Sequence, residues 1–177
     1  MQNSGMENGQ SLDKRFKVLI VDDHPNTADM LARAISRLSP DIEVYAATGG
    51  REAVEHAKNK SVDILITDMM MPEMTGLKLI ETLGEKSLSP AASFLLTAYD
   101  STELRESARS ANVKQIIAKP APPEKVCQLV LQTMEDLKQI ESLHIEPVTK
   151  ESITVESPAK DEPHSYLSNQ IDERNMQ

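Results

Sequence analysis

The sequence predicts an α/β domain, a doubly wound sheet of five parallel strands with a helix after each strand. Two observations carry this reading. Short continuous apolar runs alternate along the chain with segments whose apolar residues recur at helical spacing. The runs also lack the in-out alternation of a strand with one wet face, so they read as strands covered on both sides, as in a parallel sheet with right-handed crossovers.

The elements follow in order. Val18-Leu19-Ile20-Val21 is the first strand. Ala28, Leu31, Ile35 and Leu38 mark the first helix, and Pro40 follows its last turn. Ile42 to Ala46 is the second strand, and Gly49-Gly50 opens a short helix carrying Ala53, Val54 and Ala57. Ile64-Leu65-Ile66 is the third strand; Leu77, Ile80 and Leu83 mark the third helix, which Gly84 is placed to end. Phe94-Leu95-Leu96 is the fourth strand. Asp100 and Glu103 have the spacing of a reciprocal helix cap, and Leu104, Ala108 and Ala111 give that helix its apolar face. Asn112 sits where a helix ends in a left-handed residue. Gln115 to Ala118 is the fifth strand. Pro122 and Pro123 suit a first helical turn, after which Val126, Leu129, Val130, Thr133, Leu137 and Ile140 line a long last helix.

This pattern occupies residues 16–142. Residues 1–15 are polar, have no apolar signal core and read as a flexible leader. Residues 143–177 hold Pro147, Pro158 and Pro163, with seven acidic and three basic residues, a composition expected to stay disordered. With 19 Lys plus Arg against 28 Asp plus Glu, the net charge of −9 argues against a direct grip on nucleic acid, which needs a basic face. No run approaches the ~18 apolar residues of a membrane span. One cysteine, Cys127, allows no internal disulfide; it reads as a packed thiol in a cytoplasmic protein.

In a parallel sheet, ligands bind beyond the carboxyl ends of the strands. Four strands end there in polar residues: VLIV runs into Asp22-Asp23, ILI-Thr67 into Asp68, FLL into Thr97 and IIA into Lys119. Three neighbouring carboxylates repel one another, and a hard divalent cation such as Mg²⁺ relieves this. With an ammonium and a hydroxyl beside them, the group suits a phosphoryl group carried on a carboxylate. A lone Asp after a strand is usually a turn residue; the argument rests on four strand ends converging.

VLIVDDHPNT, LITDMMMPEMTG, FLLTAYD and IIAKP, in this order over roughly residues 16–142, resemble the receiver domain of two-component response regulators. The resemblance implies a flavodoxin-like (βα)5 fold with strand order 2-1-3-4-5. It implies that Asp68 is the phosphoacceptor. Asp23 would bind Mg²⁺ directly, Asp22 mainly through water, and Met70 through its backbone carbonyl. Thr97 would reach the phosphoryl oxygens and Lys119 would pair with them, aimed by a cis Lys119-Pro120 peptide. Pro72 and Gly76 match the loop after the acceptor. The implied partners are a sensor histidine kinase or phosphotransfer protein and a downstream protein target. The implied role is a switch, not a turnover enzyme, catalysing at most its own phosphorylation and dephosphorylation.

One position departs from the pattern: Ile116 stands where the family often has an inward-swinging Tyr or Phe. Met70 and Tyr99 are expected to flank the phosphoryl site. His24 is expected to cap the first helix rather than bind metal, because Mg²⁺ prefers oxygen. Val130, Thr133, Leu137, Ile140 and His144 fall at alternating spacings of three and four, a short seam through which the last helix could form a homodimer. Two alternatives are a receiver belonging to a longer DNA-binding or enzymatic regulator, and a receiver that no longer takes phosphate. A hydrolase with an aspartyl-phosphate intermediate would want a second acid two residues past Asp22 or Asp23, where His24 and Pro25 stand.

Overall fold

The computed structural model describes residues 15–143. All but the first residue of the tail expected over 143–177, the seam position at His144 and all but the last residue of the leader lie outside them; Leu143 itself is the end of the last helix.

Ten elements alternate: β1 (Phe16–Val21), α1 (Pro25–Ser36), β2 (Ile42–Ala47), α2 (Gly50–Asn59), β3 (Ile64–Asp68), α3 (Gly76–Glu85), β4 (Ala92–Thr97), α4 (Thr102–Ser110), β5 (Gln115–Ala118) and α5 (Pro123–Leu143). The strands form one sheet in the order β2-β1-β3-β4-β5, parallel at every pairing, as expected. The register sets Val21 beside Thr67, Asp68 beside Leu96 and Thr97 beside Ala118, so the polar strand ends share one rim.

Successive strand residues serve opposite faces. Val18, Ile20, Ile66, Phe94 and Leu96 pack with Leu31 and Ile35 of α1 and Val126 and Val130 of α5. Leu19, Val21 and Leu65 pack with Ala53 and Val54 of α2 and Leu79 and Leu83 of α3. This is why the apolar runs are continuous in the sequence. Among the described residues no helix is long and apolar enough to cross a membrane.

Several local expectations are corrected. The cap of α4 is Ser101, whose hydroxyl accepts the Leu104 N–H at 3.1 Å. Asp100 cannot serve because its carboxylate is held by Arg105, at 2.8 Å from Nε. Helix α3 runs through Gly84, and the left-handed residue after it is Ser87, at φ 57°. In the same helix Leu79 is fully buried, while Leu77 is only half-buried. In α4 only Ala108 is buried; Ala111 caps the helix from outside it. His24 occupies the N-cap position of α1, but its side chain makes no capping bond. Asn112 is left-handed as expected, at φ 58°. Val130 and Thr133 of the proposed seam are buried within the domain, so they are not free to face a second copy.

Candidate functional site

The rim is assembled by strand ends. Asp22 follows β1 directly, and its N–H donates to the Ala47 carbonyl at 3.2 Å, an extension of the β1–β2 pairing. Asp68 is the last residue of β3, Thr97 the last of β4, and Lys119 follows β5. The Lys119 N–H donates to the Thr97 carbonyl at 2.7 Å, which ties the lysine backbone to the end of β4. The Lys119-Pro120 peptide is cis.

The Lys119 ammonium bridges two buried acids. Its Nζ lies 3.1 Å from Oδ2 of Asp22 and 3.0 Å from Oδ2 of Asp68. Asp22 is wholly buried and Asp68 nearly so. Such charges persist in the interior only when paired and hydrogen-bonded. Asp22 meets that condition on both oxygens, since its Oδ1 accepts the His24 N–H at 2.9 Å. Burial works against the charged lysine, but the hydrogen bonds it donates to Asp68 and Asp22, and their charges, outweigh it and hold its pKa above the ordinary value.

Lys119 pairs with two of the three carboxylates, Asp22 and Asp68, while Asp23, next to Asp22 in the chain and partly exposed, has no contact with the ammonium among those described. One ligand atom from each of Asp22, Asp23 and His24 falls within a span of 4.8 Å. The His24 ring rests on the acids, with Nδ1 3.1 Å from Asp23 Oδ1 and 3.4 Å from Asp22 Oδ1. A rim left with excess negative charge and oxygen donors fits a hard divalent cation of the Mg²⁺ kind.

Thr97 reaches the rim, but its hydroxyl is engaged elsewhere. It donates to the Tyr99 carbonyl at 3.0 Å and accepts the Tyr99 N–H at 3.1 Å. The side chains of Met70 and Tyr99 stand in solvent, 63% and 79% exposed.

Some residues named from the sequence have contacts that the sequence does not show. Thr67 is fully buried, and its hydroxyl donates to the Asp68 carbonyl at 3.1 Å. A methyl group added at Gly76 would lie 2.3 Å from that same carbonyl oxygen, so only glycine lets α3 start so close to β3. The His24 contact with the acid pair was also missed; two adjacent acids before a histidine were the available signal.

The sequence profile described as "Response regulator receiver domain" matches residues 18–131. The chain is 36% identical over 118 residues to the sensor histidine kinase TmoS of Ectopseudomonas mendocina, covering 66% of this chain and 12% of that protein. It is 31% identical over 114 residues to the transcriptional regulatory protein UhpA of Escherichia coli K12, covering 64% of this chain and 56% of that one. It therefore spans between about an eighth and just over half of these relatives. Among solved structures, the chemotaxis protein CheY4 of Vibrio cholerae superposes with a TM-score of 0.62 at 27% identity, over 67% of this chain and 98% of that one. With the rim, the strand order and this match over most of its length in agreement, the chain belongs to the response regulator receiver domain family, the phosphoryl-accepting switches of two-component signalling.

Proposed function

We propose that Asp68 takes the phosphoryl group, that Asp22, Asp23 and the Met70 backbone carbonyl hold Mg²⁺, and that Thr97 and Lys119 bind the phosphoryl oxygens. The observation that carries this reading is the Lys119 ammonium held between Asp22 and Asp68, 3.1 and 3.0 Å from their oxygens. Bound Mg²⁺ supplies charge neutralisation that lets an anionic donor approach three acids.

The chain's own groups do the rest. An Asp68 oxygen attacks phosphorus on a phosphohistidine of a sensor kinase or phosphotransfer protein, the P–N bond breaks, and the imidazole leaves. The product places about two negative charges and three acceptor oxygens at the end of β3. Lys119 pairs with them and keeps its charge. Thr97 donates its hydroxyl to a phosphoryl oxygen, which requires it to leave the Tyr99 carbonyl it now serves. Release of that bond frees the segment leading into α4. Exposed Met70 and Tyr99 border the group and set how readily water reaches it.

The readout then lies on the α4–β5 edge, where a downstream protein binds. Ile116 is half-buried there beside a cavity of about 270 Å³ shared with Arg105, Ala108 and Arg109. Repacking of an aliphatic residue replaces the swing of an aromatic ring. The chain works in the cytoplasm as a switch over residues 16–142, without turnover beyond its own phosphorylation and dephosphorylation, and its charge of −9 disfavours direct nucleic-acid binding. A homodimer through α5 would have to use its last turns, since Val130 and Thr133 face the sheet. A second reading, that this receiver serves a longer regulator with a DNA-binding or enzymatic output, is favoured by the partial coverage of the matched relatives.

The test is labelling by acetyl phosphate with Mg²⁺, followed by intact mass. Wild type should gain an acid-labile phosphoryl group and Asp68→Asn should gain none; undiminished labelling of the variant refutes the assignment.

A further inference from the structure

Helices in this fold run against the strands, so α3 and α4 end at the sheet rim opposite the acid site. A cleft of about 440 Å³ opens between those two ends. Ser93, the second residue of β4, belongs to it, with Glu81 and Glu85 of α3, Ser89 of the following loop, and Ser110 and Asn112 at the end of α4. No Lys, Arg or His is among its lining residues.

Three features give the cleft one polarity. Glu81 and Glu85 contribute carboxylates. The last turns of two helices bring backbone carbonyls and the negative ends of their dipoles. Ser93 supplies the independent observation. It is 4% exposed, yet its hydroxyl has no hydrogen-bond partner among the described residues. Nor is that oxygen sealed away, since no buried side-chain oxygen or nitrogen lacks a partner. The hydroxyl therefore opens into the cleft, where it can accept a bond from a ligand. Lys78 competes for the acids, 3.4 Å from Glu81 and 3.6 Å from Glu85. All three side chains are more than half exposed, and such pairs exchange at little cost.

We propose that this cleft binds a cationic N–H donor, an alkylguanidinium or alkylammonium group. A guanidinium matches it best, because its planar fork can reach several acceptors at once. The donor can be a free amine or an arginine side chain presented by a protein; the chemistry recognised is the same.

The experiment is an amide-shift titration of the ¹⁵N-labelled full chain with agmatine, with N-acetylarginine methylamide, and with the neutral N-butylacetamide. Saturable shifts confined to residues 81–93 and 110–112 are expected with one or both cations and not with the neutral amide. Saturation by agmatine alone identifies a small-molecule site, and equal or tighter binding of the arginine derivative identifies a docking point for a protein side chain. The Glu81→Gln/Glu85→Gln variant should bind about tenfold more weakly or worse. Ser93→Ala, which adds no bulk, should weaken binding severalfold while its spectrum stays folded. Asp68→Asn should bind like wild type, so the outcome is separate from the phosphorylation reading. Failure of both cations to saturate, or equal binding by the double variant, overturns the proposal.

Discussion

Every residue of β3 and β4 is buried, whereas β5 buries one residue of four and the adjoining α4 one of nine. The acids and the threonine of the site sit on or next to the three central strands, which cannot shift without opening the core. The lysine comes from the edge, and so does the surface next to α4. Few buried apolar contacts mean a low cost of local rearrangement. A charge added at the rigid centre can therefore be answered at the edge while the sheet stays as it is.

Deleting side chains on each side sharpens this contrast most strongly. Phe94→Ala empties a fully buried position of β4 and should cost about 3–5 kcal/mol, while Ile116→Ala on β5 should cost about 1–2 kcal/mol. Urea midpoints at unchanged m-values measure both. Equal losses would break the comparison.

Next in size is Gly76→Ala, whose methyl group would lie 2.3 Å from the Asp68 carbonyl oxygen. The forced shift of α3 from β3 should cost about 1–3 kcal/mol and slow acetyl phosphate labelling, because the acceptor strand end moves. Thermal unfolding and intact-mass kinetics read the two effects.

The acid cluster should behave in the opposite sense. With chelator present, Asp23→Asn removes a carboxylate clustered with that of Asp22 and should raise stability by about 1 kcal/mol. Added Mg²⁺ should then stabilise wild type more than the variant. A destabilised variant in chelator would show that Lys119 already neutralises the cluster.

The smallest effect is at Cys127 in α5, where burial, aided by Glu124, pushes the thiol pKa above its ordinary value. Between the unfolded and folded values the native state keeps a proton that the unfolded chain releases. This contribution is thus whole below the unfolded pKa, near 9.0, and is lost as pH rises through the folded value. Iodoacetamide should alkylate native protein far more slowly than urea-unfolded protein at alkaline pH; equal rates would place the thiol outside the core.

The strand runs were legible because burial on both faces writes itself as uninterrupted apolar sequence, and the rim was legible because each run stops at a polar residue. What stayed hidden was decided by competition between neighbours. Asp100 and Ser101 are both good caps, and the choice fell to Ser101 because Arg105 captures the aspartate. The His24 ring rests on the acid pair instead of capping α1, with Nδ1 3.1 Å from Asp23 Oδ1, a choice between two nearby sets of partners that the spacing alone does not make. The Thr97 hydroxyl could face the acceptor or the Tyr99 backbone, and nothing in FLLTAYD distinguishes the two. The need for glycine at position 76 rests on a contact with a strand end eight residues earlier.

Amide hydrogen exchange on the full chain in Mg²⁺, with and without beryllofluoride as the phosphoryl mimic, tests the division between centre and edge most directly. Protection should change over residues 98–118 while β1 and β3 exchange as before. Changes spread evenly across the central strands, or none along the α4–β5 edge, would contradict the account.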